Sequence, residues 1–475
     1  MIVPAVVFGG SQEEQSPVRS SALWLAAGSG ALGGLLFGYD WVVIGGAKAF
    51  YERYFQLDSP ALQGWAMSCA LIGCLLGAVS SGALSDRFGR KRLLTVGAFT
   101  FAISSLGTGM AGRFDVFVLW RMMGGFAIGL ASGVSPMYIA EISPAQSRGR
   151  LVSLNQVAIV FGILLAQVVN WLIARPVPPG ASAQAILLSW NGQMGWRWMF
   201  GVTAIPSAFF LLASLLIPES PRWLAAKGRG DEALRVLERL GGHVYAEKVM
   251  KEFAAVSDVR PAKSLWKELR APGIGKVLSV GIGLAVLQQW CGINVIFNYA
   301  QEIFSAAGYQ ISDILFNIVV TGAVNVVFTF VAFFGIDRFG RRFLLLTGLT
   351  GLILIYTLLG IFYRLHLQGK PMLLLVLAAI ACYAMSLAPA TWVVIAEIFP
   401  NRIRGAAMAI AVASLWSACF LLTYTFPLLN AALGPSGTFW TYAAVCLAGA
   451  IFLSLRLSET KGKTLEEIET DIRNA

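Results

Sequence analysis

The five-residue stretch Asp86-Arg87-Phe88-Gly89-Arg90 recurs in the second half of the chain as Asp337-Arg338-Phe339-Gly340-Arg341. A longer stretch, AEISPAQSRG at 140–149, likewise returns as AEIFPNRIRG at 396–405. In each half, the first motif follows the second long apolar run and the longer motif follows the fourth. This order predicts two similar halves that cross their surroundings in the same direction.

The composition indicates that these surroundings are a lipid bilayer. Of 475 residues, 57% are hydrophobic and 13% are charged, and the mean hydropathy is +0.70. Soluble domains carry roughly 25% charged residues, and disordered chains combine low hydrophobicity with high charge, so both classes are excluded. The apolar runs reach the ~20 residues of a spanning helix, without the ~10-residue alternation of a membrane barrel. The sequence therefore predicts an all-α polytopic membrane protein.

Apolar runs bounded by charges predict twelve transmembrane helices, six in each half. They cover 21–46, 60–84, 93–112, 114–138, 150–174, 197–217, 275–305, 311–335, 343–363, 371–395, 405–427 and 437–457. The side that holds both termini carries 28 of the 36 Lys and Arg residues, and the other side carries 7. Because basic loops remain in the cytoplasm, both termini are predicted to be cytoplasmic, in a cytoplasmic membrane. The N-terminus lacks the pattern of a cleavable signal.

These runs divide the chain into five predicted segments. They are a cytoplasmic N-terminal segment (1–20), a six-helix half (21–217), a cytoplasmic helical linker (218–272), a second six-helix half (273–457) and a cytoplasmic tail (458–475). Within the linker, 230–240 and 246–256 have the charge pattern of short surface helices. Parallel six-helix halves are typical of transporters that rock about a site at the membrane midplane.

Other classes of function find little support. The net charge is +11, but the linker is mixed in sign, so no nucleic-acid partner is predicted. The six cysteines lie in apolar runs without paired spacing, which predicts no disulfide framework, metal site or cofactor. A membrane enzyme is disfavoured because the sequence carries no Ser/His/Asp, metal or nucleotide constellation.

Charged residues recur at the cytoplasmic ends of helices in both halves. Taken alone, the first motif would equally serve as a topology anchor. Opposite charges from the two halves can also pair when the inner side closes, and several pairs of below ~1 kcal/mol each can bias a two-state equilibrium. We expect a cytoplasmic latch composed of Asp86, Arg90, Glu141, Arg148, Glu219, Arg222, Asp337, Arg341, Glu397 and Arg404.

Two charged residues lie inside the apolar runs of the first half. Asp40 lies about two-thirds along the first run, and Arg121 opens the apolar stretch of the fourth. Charged groups at membrane depth are expensive and usually functional. One reading is a fixed structural salt bridge. The other is a proton site, in which protonation of Asp40 weakens its attraction for Arg121.

A second polar cluster is neutral. Helix seven carries Gln288, Gln289 and Asn294, with Asn298 one turn later, and Gly292 can loosen the helix between them. Amides both donate and accept hydrogen bonds, which suits a neutral, hydroxyl-rich solute, and an indole face suits the C–H face of a sugar. The alternative is interhelical packing through amide hydrogen bonds. Gln156 on helix five, Asn325 on helix eight and Trp392 on helix ten add to this cluster.

The chain resembles the sugar porter family of the major facilitator superfamily, and within it the bacterial proton-coupled symporters, from about residue 21 to 465. The resemblance rests on DRFGRK at 86–91, RMMGG at 121–125, PESPRW at 218–223, the run from Gln288 to Asn294, EIFP at 397–400 and SETKG at 458–462. It implies the major facilitator fold and alternating access for a monosaccharide. The resemblance also implies the sugar-binding residues, which are Gln156, Gln288, Gln289, Asn294, Asn325 and Trp392, with Phe37 nearby. It also implies a proton as co-substrate, because coupled members carry Asp at the position of Asp40 and uncoupled glucose facilitators carry Asn. Asn298 stands where many relatives have Tyr, and Ile163 and Leu415 stand where xylose-transporting relatives have Gln.

The sequence therefore predicts a proton-coupled monosaccharide symporter that imports a hexose or pentose such as D-glucose or D-xylose. Its expected partners are the sugar, the proton and the lipid bilayer, and the architecture can work as a monomer. The alternatives are an uncoupled facilitator, in which Asp40 is only structural, and a non-transporting sugar sensor.

Overall fold

The computed structural model describes the backbone of residues 21–144, 147–257, 274–399, 403–457 and 459, and the side chains of all of these except 254–257, 333–338 and 396. Over these ranges the chain forms helices and no strand, so the predicted all-α class is confirmed. Eleven helical stretches are long and apolar enough to cross a membrane.

The first half forms eight helices and crosses six times. They are α1 (Ser21–Tyr54), α2 (Pro60–Phe88), α3 (Arg90–Met110), α4 (Phe114–Ile142), α5 (Arg148–Ile173), α6 (Ala183–Leu188), α7 (Trp196–Gly201) and α8 (Ala204–Leu216). A π-helical turn, Asn191–Gly195, leads into α7, and the turn, α7 and α8 together make the sixth crossing.

Three short helices follow: α9 (Pro221–Ala226), α10 (Gly230–Gly241) and α11 (His243–Ser257). The two surface helices predicted for the linker correspond to α10 and α11. The amphipathic α10 buries Ala233, Leu237 and Leu240 and leaves its charged face exposed. The boundaries of the five predicted segments stay predictions.

The second half contains α12 (Ile274–Trp290), α13 (Ile293–Asn298), α14 (Ala300–Ala306), α15 (Ile311–Phe339), α16 (Arg341–Arg364), α17 (Lys370–Met385), α18 (Leu387–Ile398) and α19 (Arg404–Arg456). The 53-residue α19 bends at Gly434, whose φ of 65° and ψ of 176° are not helical. Since 53 residues at about 1.5 Å each far exceed a bilayer, α19 makes two crossings. The total is the predicted twelve.

The repeated motif forms the same backbone turn in both halves. Gly89 joins α2 to α3 with φ 95°, and Gly340 joins α15 to α16 with φ 92°. Both angles lie in the region that glycine adopts without steric cost. An added Cβ would also meet the carboxylate of Glu219 at the first turn and that of Glu459 at the second. We call the side of the membrane that holds these turns the basic face, and the other side the far face.

Close packing of α1 against α5 fixes the centre of the first half. A Cβ on Gly38 would collide with the backbone of Ile159, so α1 approaches α5 as closely as the chain allows. Large apolar side chains on the outer surfaces, such as Leu25, Met110 and Leu172, are mostly exposed. This is the surface that a membrane-embedded bundle presents to lipid.

Candidate functional site

The predicted pair of buried charges forms in the structure. Arg121 Nη1 lies 2.8 Å from Oδ1 and 2.9 Å from Oδ2 of Asp40, so one nitrogen donates to both carboxylate oxygens. The side chains are only 5% and 8% exposed, respectively. The guanidinium also lies over the ring of Phe200, 5.4 Å from its centroid. Each charge is thus neutralised within one bundle, between α1 and α4.

All seven predicted sugar-binding residues line one cavity between the two halves. Its volume is about 130 Å³. Since a water molecule needs roughly 10–15 Å³ of such space, the cavity has room for about ten non-hydrogen atoms, close to the size of a monosaccharide. The seven residues are Phe37, Gln156, Gln288, Gln289, Asn294, Asn325 and Trp392.

The amides of α12 and α13 form a chain of hydrogen bonds along one wall. Asn294 Nδ2 donates to Gln289 Oε1, and Gln289 Nε2 donates to Gln288 Oε1 at 2.5 Å. Gln288 Nε2 in turn donates to the hydroxyl of Tyr383 at 2.8 Å. The predicted loosening is present, because Gly292 is left-handed with φ 84° and separates the two helices. This break lets residues on both sides of it face the cavity.

Aromatic side chains form another part of the lining. Phe37 lies 5.8 Å from Trp41 and 5.7 Å from Trp416, measured between ring centroids. Trp392 also lines the cavity and is 36% exposed. Amides and aromatic faces in one cavity can bind the hydroxyl groups and the C–H face of a sugar ring. The sequence did not single out Trp41, Trp416 or Tyr383.

One expectation about helix seven needs correction. Asn298 does not join the other amides at this cavity. It lines a smaller cavity beside Asp40 and Arg121, because α13 turns it toward the first half. The two positions where xylose-transporting relatives have Gln, Ile163 and Leu415, do line the larger cavity. They give it an apolar patch.

The predicted latch residues of the first half meet at the basic face. Arg90 Nε and Nη2 donate to the two carboxylate oxygens of Glu141 at 2.9 and 3.0 Å, and Arg90 also pairs with Asp86 at 3.1 Å. Glu219 accepts hydrogen bonds from the backbone N–H groups of Arg90 and Lys91. These contacts join α2, α3, α4 and the segment after α8.

The second half repeats this arrangement. Arg341 Nη2 donates to Glu397 at 3.2 Å, and Glu459 accepts from the backbone N–H groups of Arg341 and Arg342. Arg404 Nε donates to the carbonyl oxygen of Phe399.

The remaining latch residues are Arg148, Arg222 and Asp337. Arg148 and Arg222 are exposed, and the side chain of Asp337 lies outside the described residues. In the part of the chain that the structure describes, the ion pairs of the latch set join residues of the same half. Pairing between halves at this face stays a prediction.

The far face holds a charged cluster that sequence reasoning missed. Lys48 is buried and contacts Glu302 of α14, and its Nζ lies 2.9 Å from Glu52. Nζ also lies 5.4 Å from the ring centroid of Tyr299. We call Lys48, Glu52 and Glu302 the far-face cluster. It joins the two halves, and the spacing of Lys48 and Glu52 by four residues was its only sequence signal.

Comparison with known proteins identifies the chain. The family model for sugar (and other) transporters matches residues 27–472. The chain belongs to the sugar transporter family. It is 37% identical over 469 residues to the D-xylose-proton symporter of Escherichia coli (strain K12), covering 92% of this chain and 93% of that protein. It is 38% identical over 470 residues to the glucose transport protein of Synechocystis sp. (strain ATCC 27184 / PCC 6803 / Kazusa), covering 96% and 99%.

A solved structure of a family member confirms the fold. The inward open conformation of the xylose transporter XylE from E. coli superimposes with a TM-score of 0.83 at 35% identity, over 94% of this chain and 99% of that one. The predicted major facilitator fold, with twelve spanning helices in two halves, is thereby confirmed. The protein is a multi-pass membrane transporter of sugars rather than an enzyme.

Proposed function

We propose that this sugar transporter is a proton-coupled monosaccharide symporter that works by alternating access. The observation that carries the proposal is the position of the Asp40–Arg121 pair. Asp40 lies one helical turn after Phe37 on α1, so one helix carries both a titratable carboxylate and a wall of the sugar cavity. The relative named as a D-xylose-proton symporter supports the same assignment.

The proposed cycle follows from these contacts. The amides of α12 and α13 and the indole of Trp392 bind a hexose or pentose. Protonation removes the charge of Asp40, which weakens its attraction for Arg121 and frees α1 to move relative to α4. With sugar and proton both bound, the two halves rock and the cavity opens at the other face.

The proposal extends to location and assembly. The basic face is the cytoplasmic face of a cytoplasmic membrane, because basic loops remain in the cytoplasm. The transporter acts as a monomer, because each chain contains both halves and the whole cavity between them.

Uptake of labelled D-glucose and D-xylose into proteoliposomes tests the coupling. An inward gradient of about one pH unit stores ~1.4 kcal/mol and supports up to about tenfold accumulation with one proton per sugar. We expect accumulation above equilibrium only when the gradient is present. Equilibration that ignores the gradient would make the protein a facilitator and Asp40 a structural partner of Arg121.

The variant Asp40→Asn sharpens this test. We expect it to lose accumulation but to keep sugar exchange at equilibrium, since the cavity residues are unchanged. Asp115→Asn is the matched control, because Asp115 is exposed at the far face and pairs only with nearby Arg113 among the described residues. Full accumulation by Asp40→Asn would refute the coupling role.

A further inference from the structure

A second, smaller cavity connects the two halves beside Asp40. Its volume is about 20 Å³, and it is lined by Asp40 and Arg121 from the first half and Asn298 from the second. The rest of its lining is largely apolar, including Ile44 and Met67. Because one water molecule needs roughly 10–15 Å³, the cavity has room for one.

Two buried polar atoms belong to the residues of this cavity. The carbonyl oxygen Oδ1 of Asn298 and the Nε–H of Arg121 have no hydrogen-bond partner among the described protein groups. Both residues are nearly buried, at 5% and 4% exposure. Buried polar groups in folded proteins are generally hydrogen-bonded, to ordered water where no protein group is in reach. One acceptor and one donor beside a carboxylate match the bonding capacity of a single water molecule.

We propose that this cavity binds one water molecule, through which Asn298 acts as a positioning residue that links the sugar helix to the Asp40–Arg121 pair. The water accepts from Arg121 Nε–H and donates to Asn298 Oδ1, and its second proton is directed to the Asp40 carboxylate. This inference rests on the proposed proton coupling.

The link follows the short helix α13. Asn298 ends α13, and Asn294, which lines the sugar cavity, lies one turn earlier on the same helix. The left-handed Gly292 separates α13 from α12, so α13 can shift as a unit when sugar binds. A shift of α13 moves Asn298, and the water transmits that movement to the carboxylate.

Among the described residues, the ionisable groups around Asp40 come from the first half. They are Arg121 from α4, the thiols of Cys69 and Cys74 from α2, and the phenol of Tyr39 on α1. Thiols and phenols ionise above physiological pH, and arginine remains charged. The facing group from the second half, Asn298, is neutral.

The test uses the thermodynamic linkage between sugar binding and proton binding. If sugar and proton binding are linked, the sugar Kd at alkaline pH exceeds that at acidic pH, by about 5-fold or more for a typical coupling. The measurement is the Kd of D-glucose and D-xylose for the purified full chain at both pH values. We expect Asn298→Leu to keep the Kd at acidic pH within about 2-fold of the wild-type value. The ratio of the Kd at alkaline pH to the Kd at acidic pH should fall toward one, because the water loses its acceptor.

Two further variants complete the design. Asn298→Ser retains a hydrogen-bonding group and is expected to keep the wild-type ratio. Asn317→Leu is the matched control. Asn317 is also buried in the second half, and its amide nitrogen has no hydrogen-bond partner among the described groups, but it lines neither of the two cavities. It is expected to keep the ratio as well.

The outcomes separate this inference from the proposed function. An unchanged ratio in Asn298→Leu, with proton-driven accumulation intact in the wild type, would overturn the water link alone. Loss of sugar binding at acidic pH would also overturn it, because Asn298 would then belong to the sugar site or to the fold. A wild-type protein without proton-driven accumulation would refute both.

Discussion

The two faces of the membrane use ion pairs differently. At the far face, Lys48 of the first half contacts Glu302 of the second, and the backbone N–H of Val177 donates to Ser312 across the same gap. At the basic face, Arg90 and Arg341 pair within their own halves. Among the described residues, the ion pair that joins the two halves therefore lies at the far face, and the ion pairs of Arg90 and Arg341 each join residues of one half.

Ion pairs within a half and ion pairs between halves affect the conformational equilibrium differently. An ion pair within a half persists while that half moves as a body, so it stabilises the half in every conformation. An ion pair between halves breaks when they separate, so it biases the equilibrium between conformations. Variants at the two faces test this distinction between ion pairs within a half and ion pairs between halves.

Removing the cation of the far-face cluster should have the largest effect. Lys48→Met leaves Glu52 and Glu302 close to each other without the positive charge of Lys48, which we expect to favour opening of the far face by about 2–3 kcal/mol. A cysteine introduced by Ser312→Cys reports the opening through its rate of modification by an impermeant thiol reagent. The native cysteines are buried or half-buried and give little background.

The matched control for this variant is Lys370→Met, an exposed lysine at the same face. It removes the same charge without touching the contact between halves, so the modification rate should not change. If Ser312→Cys is modified at the same rate with and without Lys48→Met, the far-face cluster does not hold the halves together.

Arg90→Leu should change stability rather than conformation. It leaves the nearly buried Glu141 without its partner, so we expect the free energy of unfolding in detergent to fall by about 2–3 kcal/mol. The modification rate of Ser312→Cys should change by less than about 2-fold. A large decrease in that rate would instead support the predicted latch between halves, since the conformation closed at the basic face would have lost stability.

The two motif glycines should give the smallest effects, and similar ones. Gly89→Ala and Gly340→Ala each force a side chain into a left-handed turn beside a carboxylate, at a cost of about 1–2 kcal/mol. Denaturant unfolding in detergent measures both. Gly82→Ala is the control, because Gly82 lies within α2 with open space around it, and alanine there should stabilise slightly. Clearly unequal losses would mean that the repeated turns are not equivalent.

The fold could be predicted from the sequence because several separate features indicate the same architecture. Twelve apolar runs, the loop charges and two duplicated motifs each point to the same two-half architecture. The grouping of the predicted polar residues around one cavity was predictable for a related reason. Amide side chains are rare inside spanning helices, so each one in the sequence is a candidate for a functional site. Gln156 and Asn325 could therefore be assigned to one site before any contact was known.

What could not be predicted depends on contacts between halves. The first helix was expected to end at 46, before the charges of Lys48 and Glu52, yet α1 continues to Tyr54. Those charges are tolerated because Glu302, which is distant in sequence, neutralises Lys48. Aromatic residues were missed for another reason: Trp416 looks the same in the sequence whether it faces lipid or the cavity.

The burial of Lys48 also makes the transporter sensitive to temperature. Any conformation open at the far face must hydrate the ammonium group and the carboxylates that now contact it. Hydration of charged groups carries a strongly negative entropy, so its free energy becomes less favourable as temperature rises. Cooling therefore shifts the population toward the conformation open at the far face, and warming shifts it toward the closed arrangement described here.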